Sequence, residues 1–590
     1  MKRGCLVLAF LTGIVLSSQP SDAQYTTDFQ TNIISGVTSN WTGSYFIGSN
    51  TLSDTLLVQN GGVLSNQYAY LGYETNSCNN MVVVSDTNSL WANSQTLYIG
   101  YSGAGNDVVL SNGAQIWAGP YWYVGRNASS SNNALLIAGT GSIWYSERCC
   151  LGYSGEANSL VISNGGRMVC YFTGDIGYNA TSSNNSVVVT GAGSTWLFPG
   201  WDDPHVSIGR FGDGNSLVIA DGGQAYFSGD TYLGYFFSEN NRVLVTGAGS
   251  VWSNGSLQVG RDGVENSVVV SNGGLVTVTW WGAFVGEASS NNSLVVTGSG
   301  SVLKDDGPLW IGDYGPGNRM EIRDEAKVVD ADHCAGRSSN SNSVLVASGG
   351  VLLNNNAVYV GYQGSSNVLF ISDGSVFATG LWIGFNSTSC DNLLRMDSGN
   401  LIITNATADA VFEVRNGKLI LNGGLLQVDR FVMSNACAQF VRTGGTLIYG
   451  TAVLDPSRDD DGDGMPNGWE QSHGLDPLNS ADADTDADGD GQSNLAEFLA
   501  GTDPANNTSV FRITEIWPED ADVFLTWTAV GGKRYALQTT TRNGDGFTNG
   551  FTDLNPAIVA PGTGETTISV LHLDAATNAP SRYYRVRLVP

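Results

Sequence analysis

At 590 residues the chain is too long for a single compact core, and 26 lysines and arginines against 54 acids give it a formal net charge of −28. A surface of that sign repels nucleic acid and anionic membranes and attracts divalent cations. With only four histidines, a transition-metal centre built on imidazole is not expected.

The N-terminus reads as an export signal. Lys2 and Arg3 supply the positive start, Cys5 to Leu16 the apolar core, and Ser21-Asp22-Ala23 a small-residue cleavage site that would leave Gln24 first. No lipobox cysteine stands at that junction, and no later apolar stretch is long enough to cross a bilayer. The mature chain is therefore expected to leave the cytoplasm in soluble form. Its seven cysteines (Cys78, Cys149, Cys150, Cys170, Cys334, Cys390 and Cys437) follow neither a zinc pattern nor a disulfide framework, and they are expected inside as small apolar residues.

An asparagine then recurs about every 26 residues, always just before a short apolar run: Asn80, Asn106, Asn133, Asn158, Asn185, Asn215, Asn241, Asn266, Asn292, Asn318, Asn342, Asn367 and Asn392. A fixed period of this size means stacked units, not one globule. Each unit has two boxes. The first is the Asn, a strand and a glycine turn, as in Asn158-Ser159-Leu160-Val161-Ile162-Ser163-Asn164-Gly165-Gly166. The second is an aromatic or polar residue, an aliphatic and a glycine, as in Tyr98-Ile99-Gly100 or Trp310-Ile311-Gly312. Two turn flavours alternate, Asp221-Gly222-Gly223 against Gly247-Ala248-Gly249-Ser250, so the true repeat is a double unit of about 51 residues.

Short Val/Ile/Leu/Tyr runs cut by Asn-Gly and Gly-Gly are strand-and-turn signals. A coil of this length fits two or three short strands, each paired in parallel with the coils above and below, and aligned asparagines can hydrogen-bond along the stack. The expectation is a parallel β-helix of about 14 coils, on the order of 65–70 Å long at roughly 4.8 Å per coil. Trp91, Trp117, Trp144, Trp196 and Trp252 follow one glycine turn at one offset and are expected to pack as a ladder; exposed, they would form a carbohydrate strip. Residues 24–45 and 405–452 lose the Asn column and are expected to cap the ends.

These boxes, over roughly residues 45–405, resemble the short repeats of bacterial autotransporter passengers and PEP-CTERM-associated exported proteins. The resemblance implies a surface or secreted β-solenoid.

Two irregular places allow a second reading, a β-helix polysaccharide lyase or glycoside hydrolase. One is the long interval containing Trp201-Asp202-Asp203-Pro204-His205. The other is the charged stretch Lys304 to Arg337, with Asp305, Asp306, Asp313, Arg319, Glu321, Arg323, Asp324, Lys327, Asp330, Asp332 and His333. Convergent acids with a basic residue would serve acid/base or lyase chemistry. Coils of near-standard length lack the long loops that usually wall a cleft, so a solvated face of divergent coils is expected instead.

The strongest chemical motif follows the solenoid. Asp459, Asp461, Asp463 and Glu470 flank Gly464, and Asp486, Asp488, Asp490 and Glu497 flank Gly491, each fitting D-x-D-x-D-G-x₅-E. Calcium takes oxygens from positions 1, 3 and 5, a backbone carbonyl at 7 (Met465, Gln492), a ligand direct or through water at 9 (Asn467, Asn494), and the final Glu. Thirteen acids lie between Asp459 and Asp503 with no lysine or arginine, so without metal the segment would repel itself. Helices are predicted over Gly468–His473 and Asn494–Ala500. The segment resembles bacterial thrombospondin-type-3 and dockerin-like calcium repeats, for which Gly474-Leu475-Asp476-Pro477 and Gly501-Thr502-Asp503-Pro504 are typical terminators. That resemblance makes Asp476, Asp482 and Asp484 further ligand candidates.

From about Phe511, strands such as Val523-Phe524-Leu525-Thr526-Trp527, Tyr535-Ala536-Leu537-Gln538 and Tyr583-Tyr584-Arg585-Val586-Arg587-Leu588 read as a small antiparallel sandwich. It resembles the fibronectin-III-like tails of exported bacterial proteins. The whole is an all-β chain: signal peptide 1–23, parallel β-helix with caps 24–454, calcium-binding linker 455–507, and β-sandwich 508–590. The function expected is that of an exported structural or adhesive protein of the cell surface, extracellular space or periplasm. Its expected partners are Ca2+ and an extracellular polysaccharide or another surface protein.

Overall fold

The computed structural model describes residues 25–200, 204–433, 435–543, 546–547, 550–577 and 581–590. The export-signal residues up to Gln24 and the segment Trp201-Asp202-Asp203 lie outside the described residues. The chain divides after Val453 into two compact units.

The first unit is a parallel β-solenoid. In each first-box strand the aliphatics alternate: Leu160 and Ile162 of Ser159–Ser163 are buried while Val161 between them is half-exposed. One sheet takes 17 such strands, one per coil, and a second sheet of 29 carries the two remaining strands of each coil, fused into one long strand in some. Registers are in parallel with no slip within the first sheet, for example Leu160↔Val187 and Ile162↔Val189. The coil number exceeds the expected 14 because the end segments are coils themselves, not caps. Thr31–Ser35 before the Asn column, and Gly417–Leu421 and Gln439–Arg442 after it, join the first sheet. At roughly 4.8 Å per coil the solenoid is about 80 Å long.

The asparagine column is a continuous hydrogen-bonded ladder. Asn80 donates both its backbone N–H (3.0 Å) and its Nδ2 (2.8 Å) to Oδ1 of Asn106. The backbone half of that pattern repeats through every rung to Asn367, which donates to Asn392. Before Asn80 the rung is Asp54, whose N–H donates to Asn80 Oδ1 at 3.0 Å and whose Oδ1 accepts from Gln30 N–H at 2.9 Å. Every asparagine from Asn80 to Asn392 is buried, so each polar atom that the column leaves dry is answered by its neighbour. The second-box glycines share this cause. A Cβ on Gly177 would stand 2.2 Å from Asn215 Nδ2, and its φ of +77° suits glycine.

The alternation of coils also has a contact basis. Beside the column, every second turn places a buried serine over the glycine turn of the coil before it: Ser130 Oγ donates to Gly100 O (2.5 Å) and Gly103 O (3.0 Å), and Ser389 Oγ to Gly361 O (2.7 Å) and Gly364 O (2.6 Å). The intervening turns need glycine, since a Cβ at Gly155 would lie 1.9 Å from Ser130 O. Inside, Trp91, Trp144, Trp196 and Trp252 are fully buried and pack as expected; Trp117 departs from them and is half exposed.

The second unit begins with two acidic loops, each followed by a helix, α1 (Asn467–His473) and α2 (Asn494–Ala500), both ended by a left-handed glycine, Gly474 and Gly501. Beyond them lie two antiparallel sheets. Ile513–Glu519, Asp522–Val530 and Glu565–His572 form one; Arg534–Asn543 pairs with Arg582–Val589 and shorter strands in the other. They share a core of Leu525, Trp527, Tyr535, Leu537 and Ile568.

Candidate metal centre and surface grooves

The two acidic loops are built alike, bond for bond. Asp459 Oδ1 accepts from the N–H groups of Gly462 (2.7 Å) and Asp463 (3.2 Å), and its Oδ2 from Gly464 (2.9 Å). Asp486 repeats this with Gly489 (2.8 Å), Asp490 (3.2 Å) and Gly491 (2.8 Å). Gly464 and Gly491 each take φ +98°, which lets the chain fold back over the first aspartate. The backbone N–H groups of Met465 and Gln492 donate to Asp463 Oδ1 and Asp490 Oδ1, both at 2.8 Å. Asn467 and Asn494 act as braces. Their Nδ2 atoms donate at 2.8 Å to carbonyls twelve residues upstream, Asp455 O and Asp482 O, and their Oδ1 atoms accept from the N–H of Asp460 (3.1 Å) and Ala487 (3.3 Å).

This folding brings carboxylates together. Oxygens of Asp459, Asp461 and Asp463 lie within 4.8 Å of one another, as do those of Asp486, Asp488 and Asp490. A further cluster joins Asp463 and Glu470 to Asp482, one of the three extra candidates. Asp476 instead engages its own turn, accepting from Leu478 N–H. Many of the gathered oxygens are buried without a hydrogen-bond donor: Asp461 Oδ2, Asp463 Oδ2, Asp482 Oδ1 and both oxygens of Glu470, then Asp488 Oδ2, Asp490 Oδ2 and Glu497 Oε2. Burial, followed by the charges of Asp461 and Asp463, pushes the Glu470 carboxyl up to about 9. Burial and Asp463 take Asp461 to about 7, and burial and Asp488 take Glu497 to about 7. A donor set made only of oxygens, with several negative charges facing inward, fits a hard divalent cation. The loops differ at the last acid, where Glu497 accepts from Thr502 Oγ1 at 3.3 Å and Glu470 has no donor, and at one further position. Ser509 stands where Asp482 would repeat, and it bonds the Glu565 carboxylate.

The solenoid's surface carries a feature the sequence reading passed over. The residue before each second-box aliphatic points outward and aligns from coil to coil, so Phe46, Tyr70, Tyr98 and Tyr123 stack at 5.0, 4.9 and 5.5 Å with ring planes 11–13° apart. The residue after each glycine makes a parallel row, where Arg126 lies over Tyr153 (3.9 Å) and Arg210 over Tyr178 (4.8 Å), while Arg337 of this row lies over Trp310 of the first (4.0 Å). The signal was present in Tyr98-Ile99-Gly100: a strand alternates, so burying Ile99 turns Tyr98 outward. Where small or polar side chains replace the rings, the face opens into grooves. Cys150 and Asp175 floor one of 440 Å³ that also holds His205 and Arg210; Gln258 interrupts the ladder at another of 320 Å³.

The charges of 304–337 do not converge at an exposed site; Asp305 and Asp330 are neighbours on successive coils, but both are buried. Asp330 is buried, 2.7 Å from His333 Nδ1 and 2.7 Å from Asn354 Nδ2. Arg323 pairs with Glu321 and Asp324, and Lys304 with Asp306. Asp313, paired with Arg337 at 2.9 Å, lines the smaller of these two grooves. Of the cysteines, Cys149, Cys150, Cys170 and Cys334 are inside as expected; Cys390 and Cys437 are exposed and Cys78 is half-buried.

No protein-family model and no curated protein matches this chain. Among solved structures, a hyper-glycosylated TibA fragment (residues 55–350, glycosylated by TibC) aligns over 58% of this chain and 94% of its own, at 14% identity and a TM-score of 0.29. That overlap is too loose to bear on function. No helix among the described residues is long and apolar enough to cross a membrane.

Proposed function

We propose that this is an exported structural or adhesive protein of the cell surface or extracellular space, whose second unit is ordered by calcium and whose solenoid presents its aromatic face to glycans. The observation that carries the calcium half is the doubled cage of buried carboxylate oxygens without donors. Such groups are costly to bury unpaired, and a bound cation removes the cost. Asp459, Asp461, Asp463, Glu470 and Asp482 would hold one ion, with the Met465 carbonyl; Asp486, Asp488, Asp490 and Glu497 would hold the other, with the Gln492 carbonyl. The metal's work is structural, because binding and folding of such a loop are one equilibrium. The dispersal of the 304–337 charges favours this scaffold role over cleavage of polysaccharide.

Equilibrium dialysis of the mature chain against calcium tests the proposal. Two ions per chain are expected, falling to one in Asp486→Asn/Asp488→Asn; a chain that binds none would overturn it.

A further inference from the structure

A break in the repeat occurs where the solenoid face is best equipped to hold something. The strand Leu275–Val285 pairs with Val251–Val259 through Asn254↔Val278 and then Ser256↔Gly282. One residue, Gly255, therefore opposes three, Thr279-Trp280-Trp281, and the excess chain bulges outward. Trp280 is 66% and Trp281 73% exposed, by far the most exposed tryptophans described apart from the half-exposed Trp117. The bulge is pinned from inside. The buried Asp305 carboxylate accepts from Ala283 N–H (2.8 Å), where the chain returns, and from Gly307 N–H (2.9 Å) on the next coil. Gly282 takes φ +97° against that coil, where a Cβ would meet Pro308 O at 2.2 Å.

The bulge walls the 320 Å³ groove at Gln258, whose other sides are Phe284, Trp310, Asp230, Glu287 and Asp313. That volume lies at the small end of the range for ligand sites. The unmet hydrogen-bonding needs here are all of one kind. Gln258 Oε1 and Glu287 Oε2 are buried acceptors without a donor, Arg261 Nε standing 4.0 Å from the latter. A ligand that supplies O–H donors and an apolar C–H face to the indoles answers both features. The groove's three carboxylates outnumber the two arginines beside them, Arg337 and Arg261, and so disfavour polyanions.

We infer, building on the glycan-contacting role proposed above, that this groove is a binding subsite for a neutral, hydroxyl-rich polysaccharide. Its chain seats on Trp281, and its hydroxyls donate to Gln258 and Glu287. The groove over Cys150 and Asp175 has the opposite character, with Arg210 Nε an unmet donor and Arg148 at its wall, and it does not suit the same ligand by this rule.

Affinity electrophoresis of the mature chain, in calcium, through gels holding neutral glucans, mannans or xylans, a polyuronate, or a polycationic amino-sugar polymer, tests the inference. Retardation by at least one neutral polysaccharide is expected, with affinity falling on the order of tenfold or more in Trp281→Ala and several-fold in Gln258→Ala, while Trp117→Ala behaves as wild type. Because Trp281 is exposed, its removal should leave the melting profile unchanged, which is checked alongside. Retardation that survives Trp281→Ala but is lost in Tyr98→Ala overturns the subsite and leaves the wider glycan-contacting role standing. Retardation by the charged polymers alone also overturns the subsite. Wild-type protein retarded by no polymer overturns both.

Discussion

The asparagine column and the acidic loops are both rows of buried side-chain oxygens, and they resolve that problem in opposite ways. In the column each Oδ1 is met by a backbone N–H and, along most of its length, by an amide of the neighbouring rung, as when Asn185 donates to Asn215 at 2.9 and 3.1 Å. A neutral side chain that both donates and accepts can be satisfied by copies of itself. In the loops the ionised carboxylates only accept, so their copies worsen the problem, and both oxygens of Glu470 are left without a donor. A self-complementary group builds a row that is complete; an acceptor-only group leaves a deficit that its own copies cannot fill.

Chelation should separate the two regions most strongly. If each loop is filled at a hundredfold excess of calcium over its Kd, about 2.7 kcal/mol is lost per site on chelation. Calorimetry with and without chelator should then show the second unit's transition fall by on the order of ten degrees or more, with the solenoid transition unmoved. Coincident shifts of both would break the contrast.

Substitutions of opposite chemical sense sharpen it. Asn215→Asp puts an acceptor-only charge into a row that needs a donor and should cost about 3 kcal/mol, read by denaturant unfolding of the solenoid. Glu470→Gln replaces a carboxyl that the metal-free cage pushes up to about 9, and so holds protonated at neutral pH, with a neutral amide that needs no such protonation. In chelator it should stabilise the second unit by on the order of 1–2 kcal/mol, while weakening calcium binding. Equal signs for the two changes, both measured in chelator, would contradict the account.

The smallest effect concerns the interior tryptophans. Trp91 Nε1 donates to Asn66 Oδ1 at 2.8 Å, whereas Trp252 Nε1 is buried without an acceptor. Trp91→Phe should therefore cost about 1 kcal/mol more than Trp252→Phe, measurable by thermal unfolding of paired variants.

Much of this was legible in the residues. The spacing of Asn80 to Asn392 implied stacked parallel coils, because only alignment lets a polar residue persist at a buried position. The gathering of carboxylates was legible in the D-x-D-x-D-G spacing of the two loops, and α2 spans Asn494–Ala500 as read from the sequence. The end coils were missed because Gly417–Leu421 continues the sheet without an asparagine, and backbone pairing does not need one. The aromatic face was overlooked in favour of the tryptophans of the other box, although burial of Ile99 already dictated where Tyr98 must point. The bulge at Trp280-Trp281 was not legible, since three residues facing one becomes apparent only when neighbouring coils are laid side by side.

The alternation of serine and glycine turns sets a rule for how such a chain can change length over generations. Ser182 Oγ bonds Gly155 O at 3.0 Å, and Gly212 has no room for a side chain because Ser182 O lies 2.0 Å from where its Cβ would be. Losing a single coil would set serine turn on serine turn, breaking those bonds and filling a space kept for glycine. Losing or duplicating two coils leaves every interface as it was. The rod is therefore inherited like a ruler whose finest graduation is the pair, and duplications of about 51 residues can pass unnoticed by the fold.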